Sequence, residues 1–131
     1  MKSLIVEDEF TSRLLLQEIL KSYGPVHIAV NGKEAVEAVR VALEGDDPYG
    51  LICLDILMPE MSGQEALRQI RGDEEARGIM SSSGAKILMI TAVEDPKNVF
   101  AAFGSLCDAY LTKPIHKAKL LAELRKLKLI K

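Results

Sequence analysis

Leu51-Ile52-Cys53-Leu54 is an apolar run without polar alternation, and it ends at a single carboxylate, Asp55. Strands that are covered on both faces contain continuous apolar runs of this kind, whereas strands with one exposed face alternate apolar and polar residues. Four further short, mostly apolar runs occur at residues 4–6, 26–30, 87–90 and 109–111. The sequence therefore predicts five strands that are buried in one parallel sheet.

Each predicted strand is followed by a segment with helical periodicity. Asn31 and Glu34 have the spacing of a helix N-terminal capping pair, and Ser62 precedes the third helix with Glu65 at the same spacing. Asp95-Pro96 has the pattern of an N-cap followed by proline at the first helical position. The predicted apolar stripes are Phe10, Leu14, Leu15 and Ile19; Val36, Val39 and Leu43; Leu67 and Ile70; Val99, Phe100 and Phe103; and Leu120, Leu121, Leu124 and Leu127.

Five strands that are each followed by a helix indicate βαβ units with right-handed crossovers. The predicted fold class is therefore α/β, with a doubly wound five-stranded parallel sheet and helices on both faces. The pattern itself does not give the order of the strands. Ligands of such sheets bind beyond the carboxyl ends of the strands, so that edge is where functional residues are expected.

Composition and charge exclude several classes of protein. The 131 residues are enough for one domain, and the net charge of −2 gives no reason to expect binding to nucleic acid or to anionic membranes. No apolar run approaches the roughly 18 residues that a transmembrane helix needs. Cys53 and Cys107 lie outside metal-binding patterns and are expected to be buried reduced thiols in a cytoplasmic protein, although a disulfide between them remains an alternative.

Chemically useful side chains follow four of the predicted strands: Glu7-Asp8, Asp55, Thr91 and Lys113. Each has an ordinary interpretation alone, as a turn former, a β-former or a solvated cation, but all fall at the edge where the fold binds ligands. Crowded carboxylates need a cation, and Mg²⁺ prefers oxygen ligands. A carboxylate can also attack phosphorus and form an aspartyl phosphate. The residues therefore indicate phosphoryl transfer assisted by Mg²⁺.

Four motifs resemble those of receiver domains in bacterial two-component response regulators. They are Glu7-Asp8, the segment from Asp55 to Gly63, Thr91-Ala92, and the segment from Tyr110 to Pro114, and they occur in the family's order along the whole chain. The resemblance implies a flavodoxin-like sheet with strand order 2-1-3-4-5. It also implies that residues 1–131 form a single receiver domain without an output domain.

The resemblance implies a role for each motif residue. Asp55 is expected to accept the phosphoryl group, while Thr91 and Lys113 contact its oxygens. The expected Mg²⁺ ligands are Glu7, largely through a metal-bound water, Asp8, Asp55 and the backbone carbonyl of Leu57. Thr91 and Tyr110 are expected to form the conformational switch, and the Lys113-Pro114 peptide bond is expected to be cis. Gly63 is expected to permit a tight turn after Met58-Pro59.

The chain also departs from the family pattern. Leu57 and Val93 are apolar at two positions that are often polar in relatives, and the phosphoryl lifetime is expected to depend on them. Leu106 stands where relatives usually carry glycine. The segment 71–84 is polar and is expected to contain a helix end followed by a loop.

The expected phosphoryl donor is a sensor histidine kinase or a histidine phosphotransfer protein. The expected output is binding of a downstream protein through the helix after the fourth strand, the fifth strand and the last helix. The basic residues of the last helix are interpreted as a solvated face, with a protein contact as the alternative. We expect a monomer or a phosphorylation-dependent homodimer, with no enzyme activity beyond the chain's own phosphorylation and dephosphorylation.

Three other classes of protein are alternatives. A haloacid dehalogenase-type phosphohydrolase carries its nucleophile in an Asp-x-Asp pattern after the first strand, where this chain has Glu7-Asp8-Glu9. A flavin-binding module needs a phosphate loop at the same place, which two acids would repel without a metal. A degenerate receiver that serves only as a scaffold would have lost the acceptor, the acids, Thr91 or Lys113, and all of these are present.

Overall fold

The computed structural model describes residues 1–56, 58, 61–80, 83–92, 104 and 106–131. The predicted helix after the fourth strand, with Asp95-Pro96 and its apolar stripe, lies outside the described residues, as do Leu57 and Val93.

Five parallel strands form one sheet in the order β2-β1-β3-β4-β5, which confirms the predicted fold class and strand order. The strands are β1 (Ser3–Val6), β2 (Val26–Ala29), β3 (Leu51–Asp55), β4 (Lys86–Thr91) and β5 (Ala109–Thr112). Every residue of β1 and β3 is buried, as continuous apolar runs predict for central strands.

The described helices are α1 (Phe10–Leu20), α2 (Gly32–Glu44), α3 (Gly63–Ala76) and α4 (Lys117–Lys126), and a short 3₁₀ helix (Lys21–Tyr23) follows α1. Both predicted caps are confirmed. Asn31 Oδ1 accepts a hydrogen bond from the backbone N–H of Glu34 at 2.8 Å, and the Glu34 carboxylate accepts one from the Val30 N–H at 3.1 Å. Ser62 Oγ accepts from the Glu65 N–H at 3.3 Å, so both helices begin where the sequence indicates.

The sheet separates two hydrophobic cores because successive strand residues point to opposite faces. Leu4, Val6, Ile52 and Leu54 face the core that is covered by α2 and α3. Their neighbours Ile5, Leu51 and Cys53 face the core that is covered by α1 and α4. Helices on both faces leave the carboxyl edge of the strands as the place for a site.

The predicted apolar stripe of α1 was wrong in three of its four positions. Phe10, Leu14 and Leu15 are 66%, 45% and 39% exposed, whereas Leu16, Ile19 and Leu20 are buried. Residues 16, 19 and 20 have the i, i+3, i+4 spacing of one helix face, and positions 10 and 14 lie on the other side. The apolar composition of α1 therefore exceeds what the sheet can cover.

The segment 71–84 contains the expected helix end, since α3 continues to Ala76, and it is therefore not all loop. Its polar residues are not all solvated either: Arg71 and Glu74 are 6% and 3% exposed and pair with each other at 2.6 Å. Charged residues are rarely buried unless they are paired, so the polar composition of this segment conceals a buried contact.

Cys53 and Cys107 are free and buried, which confirms the predicted thiols and rules out the disulfide alternative. Burial raises the pKa of the Cys53 thiol to about 12 and also raises the pKa of Cys107. Among the described residues, no helix combines the length and apolarity needed to cross a membrane.

Candidate phosphoacceptor site

Parallel register brings the predicted site residues to one edge of the sheet. Val6 pairs with Leu54, so the residues that directly follow them in the chain, Glu7 and Asp55, lie side by side. Asp55 pairs with Ile90, and Thr91 follows at the end of β4. Lys113 comes directly after β5, and its backbone N–H donates to the Thr91 carbonyl at 2.8 Å. Four separate strands thus deliver the predicted groups to one place.

Three carboxylates form the centre of this site. Glu7, Asp8 and Asp55 each contribute one oxygen to a group whose members all lie within 4.8 Å of one another. Glu7 is fully buried and Asp55 is 4% exposed, while Asp8 faces the solvent. The protein therefore shields two carboxylates of the group from solvent, and the group is open to water at Asp8.

The Lys113 ammonium bridges the two buried carboxylates. Its Nζ lies 3.0 Å from Glu7 Oε1 and 3.3 Å from Asp55 Oδ2. Burial tends to lower the pKa of Lys113, but its hydrogen bond to Glu7 and the negative charge of Asp55 outweigh burial and raise the pKa. Lys113 therefore stays protonated and supplies a fixed positive charge beside Asp55.

The pKa of Glu7 is strongly raised. Burial raises its pKa to about 7; the hydrogen bond from Lys113 opposes this rise, and the charge of Asp55 adds to it. Glu7 Oε1 also accepts the Glu9 N–H at 3.1 Å. Among the described residues, Glu7 Oε2 is a buried oxygen without a hydrogen-bond partner. Burying such an oxygen costs free energy unless a hydrogen-bond donor or a cation contacts it.

These residues fit a divalent metal ion. All the donor atoms are oxygens, three carboxylates converge within 4.8 Å, and one buried oxygen of Glu7 accepts no hydrogen bond from the part of the chain that the structure describes. Mg²⁺ binds in such sites through one or two carboxylates and keeps several waters, for which the exposed Asp8 side leaves access. The fourth ligand predicted by resemblance, the Leu57 carbonyl, lies outside the described residues.

The structure also places the predicted switch residues. Thr91 is 1% exposed at the carboxyl end of β4, and Tyr110 is half-buried on β5 against the core of α2 and α3. The Lys113-Pro114 peptide bond is cis, as predicted. The switch itself remains a prediction, because a conformational change needs a second state.

Gly63 has a packing role in addition to the predicted one, since the turn after Met58-Pro59 lies partly outside the described residues. Its φ is not in the left-handed region; instead, a Cβ at this position would lie 2.3 Å from the backbone oxygen of Asp55. The Gly63 N–H also donates to the Ile56 carbonyl at 2.9 Å. The glycine therefore lets the start of α3 pack directly against the backbone of the candidate acceptor.

Sequence reasoning missed Glu9. Its carboxylate caps α1 by accepting hydrogen bonds from the N–H groups of Ser12 and Thr11 at 2.7 Å and 3.2 Å. Hydrogen bonding from the Ser12 side chain, together with these N–H groups, lowers the pKa of Glu9. Asp and Ser are commoner than Glu as N-caps, so the signal was weak. The cap fixes the chain immediately after Glu7 and Asp8, and thereby holds both acids at the edge of the sheet.

Comparison with known proteins places these features in a family. The response regulator receiver domain family matches residues 3–125 of this chain. The two-component response regulator ORR41 of Oryza sativa subsp. japonica is 36% identical over 129 residues, covering 96% of this chain and 93% of ORR41. The sensory/regulatory protein RpfC of Xanthomonas campestris pv. campestris is 29% identical over 124 residues, which cover 92% of this chain but only 16% of RpfC.

Solved structures show the same architecture. The chemotaxis protein CheY4 of Vibrio cholerae has a TM-score of 0.76 with 25% identity, and the match covers 95% of this chain and 96% of CheY4. The receiver domain of sensor histidine kinase PA1611 from Pseudomonas aeruginosa PAO1 has a TM-score of 0.73 with 26% identity, and the match covers 95% and 94% of the two chains. The PA1611 structure has a magnesium ion coordinated in its active site cleft.

Proposed function

The chain belongs to the response regulator receiver domain family of two-component phosphorelay systems, and we therefore propose that Asp55 accepts a phosphoryl group and that this switches the protein's output. One observation carries the proposal: the Asp55 carboxylate, 4% exposed, lies between two acids and the Lys113 ammonium at 3.3 Å. A lone structural aspartate does not need such neighbours.

In the proposed reaction, an oxygen of the Asp55 carboxylate attacks the phosphorus of a phosphohistidine. A phosphorus–oxygen bond forms, the phosphorus–nitrogen bond breaks, and the imidazole of the donor leaves with its electron pair and takes up a proton. Lys113 neutralises charge on the phosphoryl oxygens, and Thr91 supplies a hydroxyl donor from the end of β4. The walls of the site hold Asp55 in position, and its open side admits the donor.

The proposed cofactor is Mg²⁺, held by Asp8, Asp55 and Glu7, with Glu7 acting largely through a bound water. It would supply positive charge that lets three carboxylates and a phosphoryl group share one site. The convergence of the three carboxylates and the magnesium ion in the PA1611 receiver support this assignment.

The proposed output is a shift between two pre-existing conformations. The hydroxyl of Thr91 moves toward the phosphoryl group, Tyr110 turns inward, and a face that includes β5 and α4 binds a downstream protein. The half-buried position of Tyr110 on the edge strand supports this role, because such a side chain can change its packing without opening the core.

We propose a sensor histidine kinase or a histidine phosphotransfer protein as the phosphoryl donor, and receivers of histidine kinases among the relatives support it. We further propose a single receiver unit that works as a monomer or a phosphorylation-dependent homodimer. Two free buried thiols are consistent with a reducing compartment such as the cytoplasm.

The test is the intact mass of the protein after incubation with Mg²⁺ and acetyl phosphate. One phosphoryl adduct is expected for the unmodified protein and for Asp46→Asn, a matched control at an exposed position. The adduct should disappear in Asp55→Asn and when EDTA is added. An adduct that persists in Asp55→Asn, or no adduct in any protein, would reject Asp55 as the acceptor.

A further inference from the structure

A buried arginine connects three parts of the chain at the amino edge of the sheet. Arg71 of α3 donates from Nη1 to Glu74 Oε1 at 2.6 Å and to the Ala85 carbonyl at 2.8 Å. Its Nε donates to the Leu106 carbonyl at 2.7 Å, and its Nη2 donates to Asp108 Oδ2 at 3.0 Å. The guanidinium thus joins α3 to the segments that lead into β4 and β5. We call Arg71, Glu74 and Asp108 the arginine hub.

The two acids of the hub are also bound to backbone. Glu74 Oε2 accepts the Ala85 N–H at 2.8 Å, and Asp108 Oδ2 accepts the Ile87 N–H at 2.8 Å. A Cβ at Gly84 would lie 2.3 Å from Glu74 Oε2, so the chain passes as close to this carboxylate as a glycine allows. The hub therefore binds backbone groups as well as side chains, and its hydrogen bonds connect the start of β4 to the start of β5.

The hub adjoins the strand that leads to Lys113. Asp108 directly precedes β5, and Lys113 directly follows it, so only the four residues of β5 separate them. Within the described ranges, β5 is an edge strand that pairs with β4 alone. An edge strand has fewer ladder hydrogen bonds to fix its register, and a slip of one residue would turn each side chain to the other face. The hydrogen bonds of Asp108 with Ile87 fix this register at the amino end.

The same helix also holds Asp55. Gly63, the first residue of α3, packs against the Asp55 backbone and donates to the Ile56 carbonyl at 2.9 Å. Two turns later, Arg71 holds Asp108 and with it the start of β5. The two partners of the ion pair at the site, Asp55 and Lys113, are therefore both positioned relative to α3, one through its first residue and one through Arg71.

We infer that Arg71 is a positioning residue for Lys113: through Asp108 it sets the register of β5 and so the distance between the Lys113 ammonium and the Asp55 carboxylate. The inference rests on the proposed function, in which that ammonium assists phosphoryl transfer. By this inference, Arg71 contributes to the site around Asp55 although it lies at the opposite edge of the sheet.

The conservative variant Arg71→Lys tests the inference. Lysine keeps the charge, but a single ammonium cannot reproduce the separate Nε, Nη1 and Nη2 contacts of the guanidinium. Arg77→Lys is the matched control, because Arg77 is exposed at the end of the same helix and its pair with Glu44 is 3.7 Å long. Arg71→Met is a second, stronger variant, to be used only if it folds.

The first readout is Mg²⁺ affinity, measured by calorimetry without any phosphoryl donor. If β5 loosens and Lys113 withdraws from the carboxylates, Mg²⁺ should bind roughly threefold more tightly in Arg71→Lys, since a competing cation has been removed. General destabilisation would not tighten binding. In a protein that already carries Lys113→Met, adding Arg71→Lys should not change the Mg²⁺ affinity further, because the ammonium through which Arg71 is inferred to act is absent.

The second readout is amide hydrogen exchange at the two ends of β5. In Arg71→Lys, the N–H groups of Asp108 and Lys113 should lose roughly tenfold in protection, while those of Glu7 and Ile56 on other strand pairs change by less than about twofold. Phosphorylation by acetyl phosphate should slow in parallel.

Uniform loss of protection, or Mg²⁺ binding that is unchanged or weaker, would overturn the inference. If even the unmodified protein accepts no phosphoryl group, the proposed function fails, and the affinity and exchange readouts still decide whether Arg71 positions Lys113.

Discussion

Lys113 and Glu7 are 106 residues apart in the chain, and the Lys113 ammonium lies 3.0 Å from the Glu7 carboxylate. This contact joins the residue after the interior strand β1 to the residue after the edge strand β5. It also places the ammonium where a divalent cation would compete for the same carboxylate. Lys113 and a metal ion therefore oppose one another at this site, although the proposed reaction needs both.

Lys113→Met should tighten Mg²⁺ binding by about fivefold or more, because it removes a positive charge from two of the three carboxylates. Phosphorylation of Asp55 should nevertheless slow, since the phosphoryl oxygens lose their cationic partner. Calorimetry with Mg²⁺ and intact mass against time measure the two effects.

Lys119→Met is the control for Lys113→Met, because it removes the same charge from an exposed position of α4. Mg²⁺ affinity should change by less than about twofold there, since solvent screens distant charges. Weaker Mg²⁺ binding in Lys113→Met would contradict the competition described above.

Stability in metal-free buffer should fall as pH rises from about 4.5 to about 7. The pKa of Glu7 is raised from 4.5 to about 7 in the folded protein, so across this window the folded protein keeps a proton that the unfolded chain has lost. Stability falls wherever the folded state binds more protons. Urea titrations at successive pH values measure the slope.

Glu7→Gln should reduce this pH dependence, because the amide cannot titrate. Saturating Mg²⁺ should reduce it in the unmodified protein as well, since the cation stabilises the ionised carboxylate. A slope that is identical in Glu7→Gln would assign the pH dependence to other groups.

Gly63→Ala should destabilise the protein by about 2 kcal/mol, because its Cβ would lie 2.3 Å from the Asp55 backbone oxygen and the start of α3 would have to move. The move would also displace Asp55, so its phosphorylation should slow.

Gly72→Ala is the matched control within the same helix. A Cβ at Gly72 meets nothing within 4 Å, and helix propensity predicts a gain of about 0.5–1 kcal/mol. Equal stabilities of the two variants would contradict the packing described for Gly63.

Lys128→Gly should stabilise the protein by about 1 kcal/mol. Lys128 follows the end of α4 with a φ of 61°, a left-handed conformation that costs energy for any residue with a Cβ. Ala122→Gly instead introduces a glycine at an exposed position in the middle of α4, where it should cost about 1 kcal/mol. Thermal unfolding of the two variants should therefore shift in opposite directions.

Most of the fold could be predicted because its signals are local. Asn31 and Ser62 determine where two helices begin, and their hydrogen bonds involve residues within three positions. The buried strands carry continuous apolar runs whatever their neighbours are. The order of the strands came from family resemblance, since it depends on which crossover lies on which face and no short pattern records that.

The stripe of α1 and the arginine hub could not be predicted because their signals are not local. Leu14 and Leu16 are chemically alike, and only the rotation of α1 on the sheet decides which of them is buried. Arg71 has the composition of a solvated helix residue, and its partner Asp108 is 37 residues away. The three acids and Lys113 were found from sequence because each follows a strand.

The two buried cysteines provide a built-in pair of probes for how the protein opens. Cys53 is fully buried at the centre of β3, whereas Cys107 lies beside Asp108 just before the edge strand β5, in the core on the opposite face of the sheet. An alkylating reagent reaches a buried thiol only when the structure around it opens. Modification of Cys107 before Cys53 would therefore report detachment of the edge strand, and simultaneous modification of both would report global unfolding. The native chain can be followed in this way without any introduced label.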